Sequence, residues 1–226
     1  RHTYGWKRAS IFAAFANAIL LLVAMGSLAW EAAHRLRDAQ AVDGATVMWV
    51  AGIGIVVNSV TALLFMKGGQ HDLNIRGAFL HMAADALVSL GVVVAGGLYI
   101  LVGWPWIDPV VGLVIAGIIV MGTARLFRQS LHLLFDGVPD GIVLSEVREL
   151  LLAIPGVTQV SDLHVWAMGT SQIALTAHLV MPAAQADDGA LDAATNALRV
   201  RFRIEHTTLQ VVRAPRPTDC TIPNSY

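Results

Sequence analysis

Two residues that can bind a metal ion lie one helical turn apart within a long apolar segment. His81 and Asp85 are four residues apart in the stretch from residue 77 to 102, whose other residues are mostly apolar or small. A spacing of four places both side chains on the same face of a helix. Nitrogen and oxygen ligands suit zinc, so an imidazole and a carboxylate together supply half of a tetrahedral zinc site.

The apolar surroundings of this pair leave two interpretations open. Imidazole and carboxylate groups are expensive in hydrocarbon and usually face a cavity, a partner or an ion there. His81 and Asp85 could instead form a hydrogen bond between helices that holds a bundle together. The chemistry of the two side chains does not decide between these interpretations, so the rest of the chain must.

The composition is typical of an integral membrane protein. Hydrophobic residues make up 56% of the chain and charged residues only 14%, and the mean hydropathy is +0.63. Each of four apolar segments has roughly the 17–25 residues needed to cross the hydrocarbon core as a helix. We therefore predict an all-α transmembrane domain over residues 1–135, with spans at 9–30, 45–66, 77–102 and 109–127.

The distribution of cationic side chains predicts the orientation of these spans. One side of the membrane receives Arg1, Lys7, Arg8, Lys67, Arg76, Arg125 and Arg128. The opposite side receives only Arg35 and Arg37. Because the side richer in Lys and Arg is normally cytoplasmic, we expect the residues that follow the fourth span to lie in the cytoplasm.

The residues after the fourth span have the charge density of a water-soluble domain. Helical periodicity covers 144–154 and 191–202, and strand patterns cover 157–168, 171–181 and 206–213. This order predicts an α-β-β-α-β open-faced sandwich over residues 136–213, with helices on one side of a small sheet. Residues 214–226 read as a flexible tail.

The expected hairpin in this domain predicts where two histidines lie. If Gly169 and Thr170 are the turn residues, His164 faces Leu175 and Ser161 faces His178. His164 would then lie on the helix-covered side, where a hydrogen-bonded, partly buried histidine is favoured over a role in metal binding. His178 would lie on the open face, where it could bind a metal ion or simply be solvated.

Two asparagines lie inside predicted spans. Asn17 and Asn58 are expected to form hydrogen bonds between helices. A supporting role close to a pathway through the helices is the minority alternative for both.

Six motifs together resemble the zinc-transporting branch of the cation diffusion facilitator family. They occur along essentially the whole chain in this order: YGWKRA from Tyr4, HMAAD from His81 to Asp85, DPVVGL, LLFDGVP, DLHVW from Asp162 to Trp166, and HTTLQV from His206 to Val211. The resemblance implies six transmembrane helices ahead of a metallochaperone-like cytoplasmic domain, and a homodimer that exchanges divalent metal for protons.

The resemblance also accounts for the incomplete ligand set. The four spans match the third to sixth helices of the family, and the chain begins with Arg1 rather than Met. We therefore expect two further helices ahead of Arg1. In the family the transport site takes two ligands from the second helix and two from the fifth, and His81 and Asp85 match the fifth-helix pair.

Other family sites are matched only in part. His2 matches a ligand of a second metal site in the loop before the first span, but Trp6 stands where a second histidine would be. In the cytoplasmic domain only His178 matches a ligand position. Ser161, Gln210 and Val212 occupy the other positions, so a complete two-metal site is not expected. A charge interlock of the family's dimer maps best onto Arg8 and Asp136, with Lys7 as the near alternative to Arg8.

The sequence therefore predicts a transporter rather than an enzyme or a nucleic-acid-binding protein. The expected function is proton-coupled export of Zn²⁺, with Cd²⁺, Co²⁺ or Ni²⁺ as possible further substrates, by a multi-pass homodimer in a bacterial inner membrane. A membrane scaffold or sensor that binds metal without moving it is the first alternative. A multispan receptor unrelated to metals is the second.

Overall fold

The computed structural model describes residues 2–37, 44–66, 72–104, 106–182 and 188–215. The described residues from Ala9 to Leu131 form one compact unit. Those before Ala9 and after Leu131 form a second. The predicted tail lies mostly outside the described residues, which end at residue 215.

The first unit consists of four helices, as predicted. They are α1 (Ala9–Arg35), α2 (Gly44–Met66), α3 (Leu73–Val102) and α4 (Ile107–Leu134). All four are long and apolar enough to cross a membrane. Three of them extend several residues beyond the predicted spans, because an apolar window detects the part of a helix in hydrocarbon and not the polar turns at its ends.

The two ends of α3 are fixed by local hydrogen bonds. The carboxylate of Asp72 accepts hydrogen bonds from the backbone N–H groups of Asn74 (2.8 Å) and Ile75 (3.4 Å). Such an N-cap satisfies donors that the first helical turn leaves unpaired. At the other end Gly103 adopts a φ of 72° and donates to the carbonyl of Tyr99 at 2.8 Å. This left-handed C-cap favours glycine.

The helices α1, α3 and α4 pack around a shared apolar cluster. It contains Leu21, Met25, Ala84, Ile115 and Ile119, all buried. Gly91 of α3 lies so close to α4 that a Cβ atom there would fall 2.1 Å from the Cδ1 atom of Ile115. Close approach through small residues is the usual way in which helices associate in a membrane.

The second unit contains the predicted α-β-β-α-β order. Its elements are α5 (Leu144–Leu152), β1 (Gln159–Ala167), β2 (Ile173–Val180), α6 (Asp188–Phe202) and β3 (Ile204–Val212). The sheet has the strand order β1-β2-β3, with β1 antiparallel and β3 parallel to β2. A parallel pair needs a crossover connection, and α6 provides it.

The core of this unit lies between the helices and one face of the sheet. It is built from alternate residues of β2, Leu175, Ala177 and Leu179, together with Val147 and Leu151 of α5, Leu198 and Phe202 of α6, and neighbouring apolar residues. These residues of β2 were predicted to lie under the helices, and the structure agrees. His178 points to the opposite face, as expected.

The predicted hairpin turn was wrong. The backbone N–H groups of Met168 and Gly169 both donate to the carbonyl of Gln172, so five residues rather than two separate β1 from β2. His164 consequently pairs with Thr176 and not with Leu175. Ser161 nevertheless pairs with His178 as predicted, because a β-bulge between Ser161 and His164 shifts the register back by one residue.

The bulge also overturns the predicted environment of His164. Asp162 within it has a φ of 51°, and the alternation of buried residues shifts there, so that Leu163 and Val165 enter the core. His164 is therefore exposed, on the open face of the sheet rather than under the helices. A bulge commonly re-aims side chains in this way.

Candidate metal centre

The pair His81 and Asp85 lies on one side of α3, as the spacing predicted. The Nε2 atom of His81 is 3.6 Å from an Oδ atom of Asp85. The side chains are 44% and 43% exposed, respectively, within this chain. A distance of 3.6 Å is too long for a direct hydrogen bond. The imidazole and the carboxylate are therefore neighbours that are not hydrogen-bonded to each other.

The two nitrogens of the His81 ring lie in different surroundings. The Nε2 atom lies next to the carboxylate of Asp85. The Nδ1 atom is buried and has no hydrogen-bond partner among the described residues. A metal-binding histidine usually donates its second ring N–H to a carboxylate or a carbonyl, which fixes the direction of the ring. That support is absent from the described part of the chain.

The backbone on either side of the pair carries extra hydrogen bonds. The hydroxyl of Ser89 donates to the carbonyl of Asp85 at 2.8 Å. The side-chain amide of Asn17 in α1 donates to the carbonyl of Gly77 in α3, also at 2.8 Å. Asn17 thus forms the interhelical bond expected of it. Asn58 has no such bond to any described residue, contrary to the expectation.

The described residues do not complete a metal site by themselves. Nowhere in the described ranges do three or more His, Cys, Asp or Glu side chains come together closely enough to share a metal ion. His81 and Asp85 are therefore a two-ligand half-site in this part of the chain.

The open face of the small sheet brings together a carboxylate and two imidazoles. One Oδ atom of Asp162 is 3.1 Å from Nε2 of His164, and the other is 3.7 Å from Nε2 of His178. His178 is flanked by Ser161 on β1 and Gln210 on β3. Sequence reasoning singled out His178, missed Asp162, and did not bring His164 next to them, because it placed His164 on the other face.

The segment ahead of α1 does not assemble a loop metal site from its described residues. The ring of His2 packs against Trp6, with 4.5 Å between centroids. Tyr4 contacts the ring of His206 edge to face, with 5.4 Å between centroids. His2 is thus beside the residue that replaces the second family histidine, and its role as a ligand stays a prediction.

Arg8 and Asp136 are brought together by the way in which α4 ends. Gly137 donates its backbone N–H to the carbonyl of His132, and Asp136 adopts a left-handed φ of 58°. This is the Schellman arrangement of a helix C-terminus. The ring of His132 covers Gly137, where a Cβ would lie 2.3 Å from it. Asp136 then forms an ion pair with Arg8.

A cavity of about 170 Å³ between α1, α3 and α4 was not foreseen from the sequence. Val88 and Val92 of α3 line it, three and seven residues beyond Asp85, so it adjoins the helix face that carries the pair. Its charged lining consists of Glu31, Arg35 and Asp108. Arg35 lies 2.5 Å from Glu31 and 3.5 Å from Asp108. Only the i,i+4 spacing of Glu31 and Arg35 could have signalled this group.

Comparison with known proteins identifies the family. Residues 1–135 match the cation efflux transmembrane domain, and residues 139–213 match the cytoplasmic domain of cation efflux proteins.

Characterised relatives match over nearly the whole chain. The zinc transporter ZitB of Shigella flexneri is 34% identical over 97% of this chain and 71% of its own length. The metal cation efflux system protein CzcD of Cupriavidus metallidurans is 32% identical over 95% and 68%. The cadmium, cobalt and zinc/H(+)-K(+) antiporter of Bacillus subtilis is 30% identical over 96% and 70%. The chain therefore belongs to the cation efflux family, as its resemblance to the cation diffusion facilitators predicted.

Proposed function

We propose that this protein exports Zn²⁺ from the cytosol and that His81 and Asp85 bind the cation during transport. The observation that carries the proposal is the 3.6 Å distance between Nε2 of His81 and the carboxylate of Asp85, on a 30-residue apolar helix. The names of the relatives support zinc as the substrate, with cadmium and cobalt as further candidates.

The distance between the two groups fits a shared zinc ion. Zinc binds imidazole nitrogen and carboxylate oxygen at about 2.0–2.2 Å, so two ligands of a tetrahedral ion lie about 3.4 Å apart. The observed separation of 3.6 Å needs a shift of only about 0.2 Å to reach that value. Binding would therefore need little rearrangement of α3.

The half-site leaves room for the other ligands. Zinc takes four ligands in such sites, and both side chains keep more than two-fifths of their surface accessible. We infer that the missing ligands come from helices outside the described residues. A site built from two pairs of ligands, one pair on each of two helices, can come apart when the helices move, as release requires.

Proton exchange provides a way to release the cation. Histidine is the side chain whose ordinary protonation equilibrium falls between pH 5 and 8. A protonated imidazole cannot bind metal, so metal binding and proton binding compete at His81. Protonation from the outer side would expel Zn²⁺, and deprotonation towards the cytosol would restore the site.

The second unit fits the role of a cytoplasmic dimerisation domain. It has its own buried core and matches the cytoplasmic domain of cation efflux proteins. We propose that the transporter is a homodimer in a bacterial inner membrane with this domain in the cytoplasm. In the dimer, the ion pair between Arg8 and Asp136 would serve as the charge interlock.

A metal-binding scaffold or sensor that moves no ions is the competing function. The observation that favours it is the presence of His164 and His178 beside Asp162 on the open face of the sheet, although these three side chains do not come close enough together to share a metal ion by themselves. The two functions differ in whether the unchanged protein moves zinc at all, and only the transporter loses zinc movement when His81 is replaced.

The test measures zinc uptake into inside-out vesicles that contain the intact protein. His81→Ala should abolish uptake while the amount of dimer in the membrane stays close to that of the unchanged protein. His34→Ala is a matched control, because His34 is an exposed histidine of α1 that forms a hydrogen bond with the carbonyl of Trp30 and a ring contact with the same residue. Uptake by His81→Ala at the unchanged rate would show that His81 is not a transport ligand.

A further inference from the structure

Asn17 makes a polar contact between two membrane helices close to the proposed transport site. Its side chain is half-buried in α1, and its Nδ2 atom donates to the carbonyl oxygen of Gly77 in α3 at 2.8 Å. An amide without a partner in an apolar environment costs about 1–3 kcal/mol or more. This bond is therefore a strong determinant of how α1 sits against α3.

The acceptor of this bond belongs to the turn that carries His81. In an α-helix the carbonyl of residue i accepts from the N–H of residue i+4, so the carbonyl of Gly77 also accepts from the backbone of His81. A carbonyl oxygen has two lone pairs and can accept both donors. One atom thus links Asn17 on α1 to the backbone of His81 on α3.

The small size of Gly77 allows this contact. A Cβ atom at Gly77 would lie 3.2 Å from Nδ2 of Asn17, 3.6 Å from Leu126 and 4.0 Å from the backbone of Ala14. Ala14 and Ala18 of α1 are completely buried. The two helices therefore approach closely at this level, and a larger residue would separate them.

The ring of His81 depends on its backbone for its direction. Its Nδ1 atom is buried and has no hydrogen bond to any described residue. The bond that usually orients a metal-binding imidazole is therefore missing from the described part of the chain. Without that hydrogen bond, the position of the imidazole ring is determined by the position of the helical turn that carries His81.

We propose that Asn17 is a positioning residue for the transport site, and that its bond to Gly77 sets the height and rotation of the His81 turn against α1. The inference rests on the proposed role of His81 in transport. Ligand distances in a working metal site hold to within about 0.2 Å. Loss of the bond should therefore weaken zinc binding more than it weakens the helical bundle.

The experiment compares Asn17→Leu with Asn58→Leu in the intact protein reconstituted in lipid vesicles. Leucine is close to asparagine in size but has no donor. Asn58 is a membrane asparagine of α2 without a hydrogen-bond partner among the described residues. The readouts are the KM for Zn²⁺ and the ratio of Zn²⁺ to Cd²⁺ transport, each normalised to the amount of dimer.

Asn17→Leu should raise the KM for zinc about tenfold or more, the usual effect of losing a residue that supports a metal ligand. It should also change the zinc-to-cadmium ratio, because the two ions differ in size and tolerate the displacement differently. Asn58→Leu should leave both quantities within twofold. Gly77→Ala provides a second variant, since its methyl group would push the Asn17 amide away, and it should act in the same direction.

The inference about Asn17 can fail in two ways, and the behaviour of His81→Ala tells them apart. If His81→Ala abolishes transport but Asn17→Leu and Gly77→Ala keep the unchanged KM and ion ratio, Asn17 only holds the helices together. A loss of protein amount or thermal stability without a change in these two quantities leads to the same conclusion. If His81→Ala also transports zinc normally, the proposed function itself fails, and the inference fails with it.

Discussion

Replacement of Leu175 by alanine should remove a large part of the stability of the isolated cytoplasmic domain. Leu175 lies on the central strand β2 and is 0% exposed, between the helices and the sheet. Leucine-to-alanine changes at such sites cost about 2.7–5 kcal/mol, with the higher values where the surroundings cannot collapse into the cavity. Because both neighbouring strands restrain β2, we expect a loss of about 4 kcal/mol.

That loss can be compared with the stability of the whole domain. Residues 139–213 form the matched domain, and a domain of this length is typically stable by about 4–11 kcal/mol. With a urea dependence of about 1 kcal/mol per molar, the unfolding midpoint should fall by several molar. The proposed dimer would make the stability depend on protein concentration, so every variant must be measured at the same protomer concentration.

The assay is urea unfolding of a soluble protein that begins near Asp140, followed by circular dichroism. Leu152→Ala is the control, because Leu152 is a leucine of the same domain that is 40% exposed, and it should cost less than about 1 kcal/mol. A loss below about 1.5 kcal/mol for Leu175→Ala, or equal losses for the two variants, would contradict the assigned core. Failure of the unchanged domain to fold alone would contradict its independence.

Three further predictions concern metal and protons. His81→Asp replaces a nitrogen ligand by a harder oxygen, so competition assays should show selectivity moving from zinc towards manganese; an unchanged ratio would count against His81 as a ligand. Zinc export should slow when the outer solution is made alkaline and the proton gradient is collapsed, with the zinc gradient and the membrane potential held fixed. An export rate that does not change with the pH gradient would indicate a channel or a uniporter. Calorimetry of the isolated domain should detect only weak zinc binding, since Ser161, Gln210 and Val212 replace family ligands; tight binding of two zinc ions per protomer would refute this.

The membrane helices and their key pair could be predicted because their signals are local. The spacing of His81 and Asp85 determines a shared helix face whatever the rest of the chain does. The length of each apolar segment likewise predicts a helix without reference to its neighbours. The partner of Asn17 could not be named in this way, since it depends on which face of α1 meets α3.

The face of the sheet on which His164 lies was predicted wrongly because two deviations occurred in one hairpin. The connection between β1 and β2 is longer than two residues, and a bulge at Asp162 compensates for the shift farther along the strand. Between these two points the register is displaced by one residue, and each displaced side chain changes face. Beyond the bulge, Ser161 pairs with His178 as predicted.

The exposure of the ion pair between Arg8 and Asp136 determines how long it stays closed. The two side chains are 56% and 55% exposed, and exposed pairs of this kind are worth about 0.5 kcal/mol. At that strength the pair is open for roughly 30% of the time. Salt screens it further. Arg8 is therefore held to Asp136 intermittently, for a fraction of time that ionic strength can change.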